Sequence, residues 1–391
     1  MEMKVNHLPV LTWNQLKLNH ASLNIDTSTT LTAREIGCKN TELPEGIVLE
    51  EKIRSEILQE RFRELGISNP REKFVAGKFP IYNSQTFATG MGGEVDDFMV
   101  QAGAATNIYT IENGYRSEEP VLIRYEYPLG VSGLSRIFFH AKAGTESTFI
   151  LQYTSEKDDA TDGKTISDAL IGVQTYLYLE EGAKVHFHVV QMLDKSYTFF
   201  HDIGGFSREK SALTLTKLDL GATTVYEGLN EIQMGDKSDF SSDLGYIGLA
   251  GSKMDINYND VFWGRKANGR MYFKEALLDD AQKTFRGTVD FRQYSKGSNG
   301  DEQEDIILLG DDVVNKTIPL ILCEEEDVEG RHASTIGSLS EDMLFYMQTR
   351  GIGKRKAEEL MVRASITHIS QMIPSEEIRK EVKQYICKIF V

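Results

Sequence analysis

Between Cys323 and His332 the chain sets a thiol, five carboxylates and an imidazole within ten residues, "CEEEDVEGRH". Cysteine and histidine are ligands for soft and borderline metals, and carboxylates can supplement them, although the absence of any CxxC spacing excludes a self-contained zinc or ferredoxin-type site. The stretch reads equally as a solvated acidic turn carrying one histidine. A second constellation is "KVHFHVV", where His186 and His188 alternate with Val185, Phe187 and Val189. That spacing puts both imidazoles on one strand face, where they could share a metal. No third ligand stands nearby in sequence, and the polar outer face of a β-rung accounts for the pattern without one.

Three further stretches have the look of nucleotide or nucleic-acid motifs. "DDATDGKT" (158–165) ends like a phosphate-binding loop, but Asp158 stands where the first glycine is needed and would repel phosphate. "GMGGEV" (90–95) begins like a dinucleotide fingerprint, yet Val95 replaces the third glycine and no βαβ pattern surrounds it. "RGIGKRKAEEL" (350–360) resembles a helix-hairpin-helix that grips DNA phosphates. Charge argues against that use. The chain carries a net charge of −16, and residues 341–391, with nine basic and seven acidic side chains, contribute +2. The remaining body therefore holds −18 and would repel a duplex, whose binding depends on neutralised phosphates.

The elements that must position these residues fall into three texts. Residues 1–69 are irregular apart from "LEEKIRSEILQERFRELG" (49–66), whose Ile53, Ile57, Leu58, Phe62 and Leu65 form one apolar helical stripe. Residues 70–335 consist of short alternating segments: "TFILQY", "KVHFHVV", "TTVYEGL", "KMDINY" and "GTVDFRQY". Period-2 alternation predicts half-buried strands. One stretch, "KTISDALIGV" (164–173), keeps a possible helical period. Gly144, Gly182, Gly221, Gly251 and Gly287 precede strands at intervals of 38, 39, 30 and 36 residues. Such spacing favours a parallel β-helix, each interval holding two coils, over a β-sandwich, whose long loops would have to be implausibly even. Residues 336–391 are helical again. Ser338 and Glu341 have capping-box spacing. A second helix runs on Ala357, Leu360, Met361 and Ala364. A third starts at Ser375 with a stripe of Ile378, Val382, Tyr385, Ile386 and Ile389.

Hydrophobic content of 40% and charged content of 26% are ordinary for a globular protein. The apolar runs are too short to span a bilayer and the N-terminus lacks a signal-peptide pattern, so a cytoplasmic protein is expected. Cys38, Cys323 and Cys387 are scattered and odd in number, which argues against a disulfide framework.

The C-terminal third, "LLGDDVVNKTIPLILCEEEDVEGRHASTIGSLSEDMLFYMQTRGIGKRKAEEL", resembles the signature of the SufB/SufD family of iron–sulfur cluster assembly proteins. The matching residues are Arg331-His332-Ala333-Ser334-Thr335, Glu341-Asp342, Leu344-Phe345-Tyr346 and Arg350-Gly351-Ile352. The resemblance is strong over about 280–365 and looser over the β-rich middle and "LPVLTWNQLKLN" (8–19). It implies a mainly β fold, a right-handed parallel β-helix with helical ends. It also implies a non-catalytic scaffold on which clusters form transiently at a subunit interface, with flavin binding left open. The implied partners are a SufB-type subunit or a second copy, joined through the β-helices, and a SufC-type ATPase. The ATPase would dock on the C-terminal hairpin, through Tyr346, Arg350, Gly351, Ile352, Ala357 and Leu360. No nucleic acid and no membrane is implied.

Within the family the chain is closer to SufD. SufB-type chains carry an essential cysteine, whose position falls here on Glu304, and a glutamate after the motif histidine, where Ala333 stands. SufD-type chains keep the histidine, His332, for cluster assembly. They often place a cysteine two residues before it, at Gly330 here, leaving Cys323 as the nearby thiol. Two other functions compete: a β-helix carbohydrate-active enzyme using carboxylates of "GSNGDEQED" (297–305), and the DNA-binding hairpin.

Overall fold

The computed structural model describes residues 1–10, 14–25, 38–40, 43–67, 87–156, 168–338 and 341–390. Strand makes up 50% of the chain and helix 18%, wound as a parallel β-solenoid of about 8 turns with helices at both ends. Each turn gives one strand to each of two nine-stranded sheets. Lys184–Met192, Ala212–Asp219, Asp239–Gly248, Asn268–Leu278, Asn299–Leu309 and Glu329–Ser338 lie side by side in one sheet. Tyr197–Ser207, Thr224–Gln233, Lys253–Phe262, Gln282–Phe291 and Val314–Cys323 do so in the other. Neighbours run parallel except at the N-terminal end, where Cys38–Asn40 and Ile47–Ile53 pair antiparallel.

Alternation sends Val185, Phe187 and Val189 into the core between the sheets. Register then stacks like upon like. Tyr109 lies 5.1 Å from Phe139 and Phe262 lies 4.8 Å from Phe291, centroid to centroid. Such aromatic pairs add to the stabilisation from burial alone.

The corners set the repeat. One corner of each coil holds a residue in the left-handed backbone region: Gly144, Gly182, Lys210, Lys237, Lys266 and Gly297, with φ between 55° and 76°. Their amides form a ladder of their own, Lys210 N donating to Asp236 O at 3.0 Å and Lys237 N to Arg265 O at 2.8 Å. From Gly182 these corners recur after 28, 27, 29 and 31 residues, so one such interval is a single coil. The expectation of two coils per glycine interval is thus corrected. Gly221 and Gly251 belong to the opposite corner, and Gly287 lies inside the Gln282–Phe291 strand.

Helices cover the outer faces. Helix α1 (Ser55–Glu64) packs Leu58 and Phe62 against Phe138, Tyr176 and Phe206. Helix α2 (Gly93–Gln101) packs Val95, Phe98 and Met99 against Leu134, Leu170 and Phe200 of the same sheet. The predicted helix 49–66 begins only at Ser55, because Ile47–Ile53 is a strand that extends the sheet. The possible helix at 164–173 is also corrected, since Ala169–Leu179 is a strand buried along its whole length.

At the other end come α3 (Glu341–Thr349), α4 (Lys354–Ser370) and α5 (Glu376–Ile389). Helices α4 and α5 lie on the sheet that ends in Glu329–Ser338, where Val362, Ile366, Ile369, Ile378, Val382 and Ile386 meet Ile150, Val190, Leu218, Ile247 and Ala276. Ser375 caps α5 as expected, its hydroxyl accepting from Ile378 N at 3.3 Å. The predicted α4 stripe is rotated. Ala357 is buried, but Leu360 and Ala364 are exposed, because the bulkier Val362, Ile366 and Ile369 claim the sheet. No helix among the described residues is long and apolar enough to cross a membrane.

Candidate functional site

The last strand, Glu329–Ser338, is the edge of its sheet and exposed along its whole length. Gly330, His332 and Ser334 alternate onto one face. Ser334 Oγ donates to Glu304 Oε2 at 3.1 Å, and Glu304 is fully buried, so that face is the interior one. Register sets Gly330, His332 and Ser334 beside Gly300, Glu302 and Glu304 of the previous rung. With no rung beyond it, His332 stands at the open end of the core.

Charge is concentrated just behind. The Lys283 ammonium bonds both Glu275 and Glu304, and all three side chains are fully buried. Glu304 Oε2 also accepts from Thr317 Oγ1 at 2.9 Å. One cation between two carboxylates leaves a negative excess. Burial first, and then the Glu304 charge, push the neighbouring Glu302 carboxyl up to about 8. Burial likewise raises Glu275, against the attraction of Lys283. Glu302 therefore keeps its proton at neutral pH, in register with His332 on the neighbouring rung. Glu304 is a member of this buried ion network.

Cys323 is an exposed thiol at the end of Val314–Cys323. Among the described residues no hydrogen bond joins it to His332. The acidic turn between them is tied down locally. Glu324 pairs with Arg292 at 3.5 Å, Asp327 with Lys296 at 3.6 Å, and Glu325 accepts from Glu326 N at 3.0 Å. Among the described residues no group of three or more His, Cys, Asp or Glu side chains is placed to hold a metal. At Gly330 a Cβ would come 2.9 Å from Ile321 Cγ2, so the space a cysteine would need is already filled. The supposed acidic loop 297–305 is mostly strand: Glu302 and Glu304 turn inward, while Asp301 and Asp305 stay half-buried on the outer face, Asp301 3.7 Å from Arg331 and Asp305 accepting from Tyr272 Oη at 2.7 Å.

The hairpin residues divide by exposure. Gly351 (φ 82°) makes the turn, and Ile352 N donates to Met347 O at 3.0 Å. Phe345 and Tyr346 on α3 are 68% and 60% exposed, and the Arg350 guanidinium lies 5.3 Å from the Tyr346 ring centroid. Leu360 is 38% exposed. Ala357 has no accessible surface and so contacts only its own chain.

His186 and His188 do face outward, yet His188 is 5% exposed. Burial, reinforced by His186, pushes the His188 imidazole down to about 4, so it is neutral at physiological pH. The phosphate-loop-like 158–165 lies outside the described residues.

The comparisons agree with the C-terminal signature. The family described as "SUF system FeS cluster assembly, SufBD core domain" matches residues 130–365. An iron–sulfur cluster assembly protein SufD of Bacillus subtilis is 20% identical over 272 residues, 69% of this chain and 60% of that protein. The Escherichia coli SufD is 23% identical over 115 residues, 29% of this chain and 27% of its own. A SufBD family protein of Staphylococcus saprophyticus is 20% identical over 354 residues, 82% of this chain and 76% of its own. The match to the Bacillus protein thus spans well under two thirds of that relative's length. A domain match that runs from the early coils through the His332 rung into α4 leaves one assignment: this chain belongs to the SufB/SufD family of iron–sulfur cluster assembly proteins, and is SufD-like within it.

Proposed function

We propose that the chain is a scaffold subunit, not an enzyme by itself, of a SufBCD-type complex in the cytoplasm. It pairs through its solenoid with a SufB-type subunit or a second copy, and docks a SufC-type ATPase through α3 and the Gly351 hairpin. The observation that carries this reading is the unfinished last rung. An edge strand exposed on both faces presents unpaired backbone groups, a ready template for another chain's strand. His332 stands on that strand, so a partner seated there meets its imidazole. The nascent cluster is cargo: His332 offers an iron ligand or a proton relay, and Glu302 holds a proton behind it. The aromatic face of α3, with Phe345 and Tyr346 exposed, has the composition of an interface core.

His332→Ala tests the site. The complex, purified anaerobically, should keep its melting temperature and both partners while losing iron severalfold, because the side chain is exposed. Normal iron content in a stable variant complex would remove His332 from the site. Failure of the unaltered chain to co-purify with either partner would remove the scaffold reading.

A further inference from the structure

The last strand of the solenoid has little apolar side chain to hold it down. The rung Asn268–Leu278 sends Met271, Phe273 and Leu277 into the core. Glu329–Ser338 carries Gly330, His332, Ser334, Ile336 and Ser338 on the corresponding side, and Ile336 is 55% exposed. Val314–Cys323, the last strand of the other sheet, is no more than half-buried anywhere along its length.

One buried carboxylate reaches both of these strands. Glu304 Oε2 accepts from Thr317 Oγ1 at 2.9 Å and from Ser334 Oγ at 3.1 Å. Its Oε1 accepts from the Lys283 ammonium, which also bonds Glu275, and none of the three charged side chains has accessible surface. Four successive strands, from Gln282–Phe291 to Glu329–Ser338, are thus joined at a single side chain. A buried ion cluster adds little net stability over well-packed apolar side chains. What it adds is geometry, because a carboxylate bonds only where donors are held. We propose that Glu304 is a positioning residue: it pins the final strand of each sheet to Lys283 and so holds the edge on which His332 stands. Its consequence for pairing rests on the reading that a partner seats on that edge.

Hydrogen exchange of the full chain without partners tests the anchor. Glu304→Leu nearly keeps the volume and removes both acceptors, while Lys283 retains Glu275, so no buried charge is stranded. Amides of 329–338 should exchange at least about tenfold faster, while those of Asp239–Gly248, further back in the same sheet, stay unchanged. Glu304→Gln should restore the protection, since its amide oxygen can accept from Lys283 and its NH₂ can donate to the two hydroxyls. Should Glu304→Leu not fold, Ser334→Ala combined with Thr317→Val removes the two donors and should quicken the same segment. Unchanged exchange at 329–338, acceleration spread evenly over the solenoid, or Glu304→Gln no better protected than Glu304→Leu would each overturn the proposal. Sedimentation with a SufB-type subunit and with itself is the second readout, and pairing should weaken severalfold in Glu304→Leu. A loosened strand with undiminished pairing would uphold the anchor and remove that edge as the partner's seat.

Discussion

Glu302 is a carboxyl group held where water cannot hydrate its charge, beside a second carboxylate in the same strand. Its folded-state pKa lies well above the ordinary carboxylate value, so its contribution to stability is full below about pH 4.5. That contribution is lost as pH rises through about 8. Glu302→Gln cannot ionise and escapes the loss. The variant should match the parent near pH 4.5 and exceed it at pH 9 by on the order of a few kcal/mol. Denaturant unfolding at the two pH values reads this directly, and a difference independent of pH would show that Glu302 ionises freely. His332 is the opposite case, an exposed imidazole whose removal should cost function without stability.

At the scale of elements, the C-terminal helices divide the labour between holding and binding. Ile366 on α4 is fully buried against the sheet that ends in Glu329–Ser338, so Ile366→Ala should cost about 2–5 kcal/mol as a cavity opens. Tyr346 on α3 is 60% exposed, so Tyr346→Ala should change stability by no more than about 0.5 kcal/mol while weakening ATPase docking. Thermal melts and co-purification, run on both variants, separate the two roles. Full ATPase retention by Tyr346→Ala would move the docking surface off α3. Sequence periodicity selected α5 correctly, because Ile378, Val382 and Ile386 form a single unambiguous stripe. In α4 it chose between two overlapping stripes, and the sheet beneath selected the more voluminous one.

For the whole molecule, one end of the solenoid is covered and the other is not. Interior-facing Ile336 on the last strand is 55% exposed, though Ile306, its neighbour in register, is buried. An added rung from a partner would bury it. Ile336→Lys should therefore leave the melting curve of the isolated chain nearly unchanged while abolishing pairing, measured by sedimentation with a SufB-type subunit and with itself. Pairing that survives the lysine would place the interface elsewhere on the solenoid.

Strand identity, the succession of helix, solenoid and helix, and the family signature were all legible in the sequence. Each rests on local alternation, composition or charge, which need no knowledge of distant neighbours. The length of a coil was not legible. Lysines fill three left-handed corners where glycine was sought, and glycines from opposite corners fall into one series. Only the stacked amide ladder, Lys210 to Asp236 and Lys237 to Arg265, sorts one corner from the other. Nor could the sequence show that Glu304 is buried with Lys283 and Glu275, or that its carboxylate meets Thr317 and Ser334. Those groupings join residues of different coils, and it is the winding of the backbone that makes them neighbours.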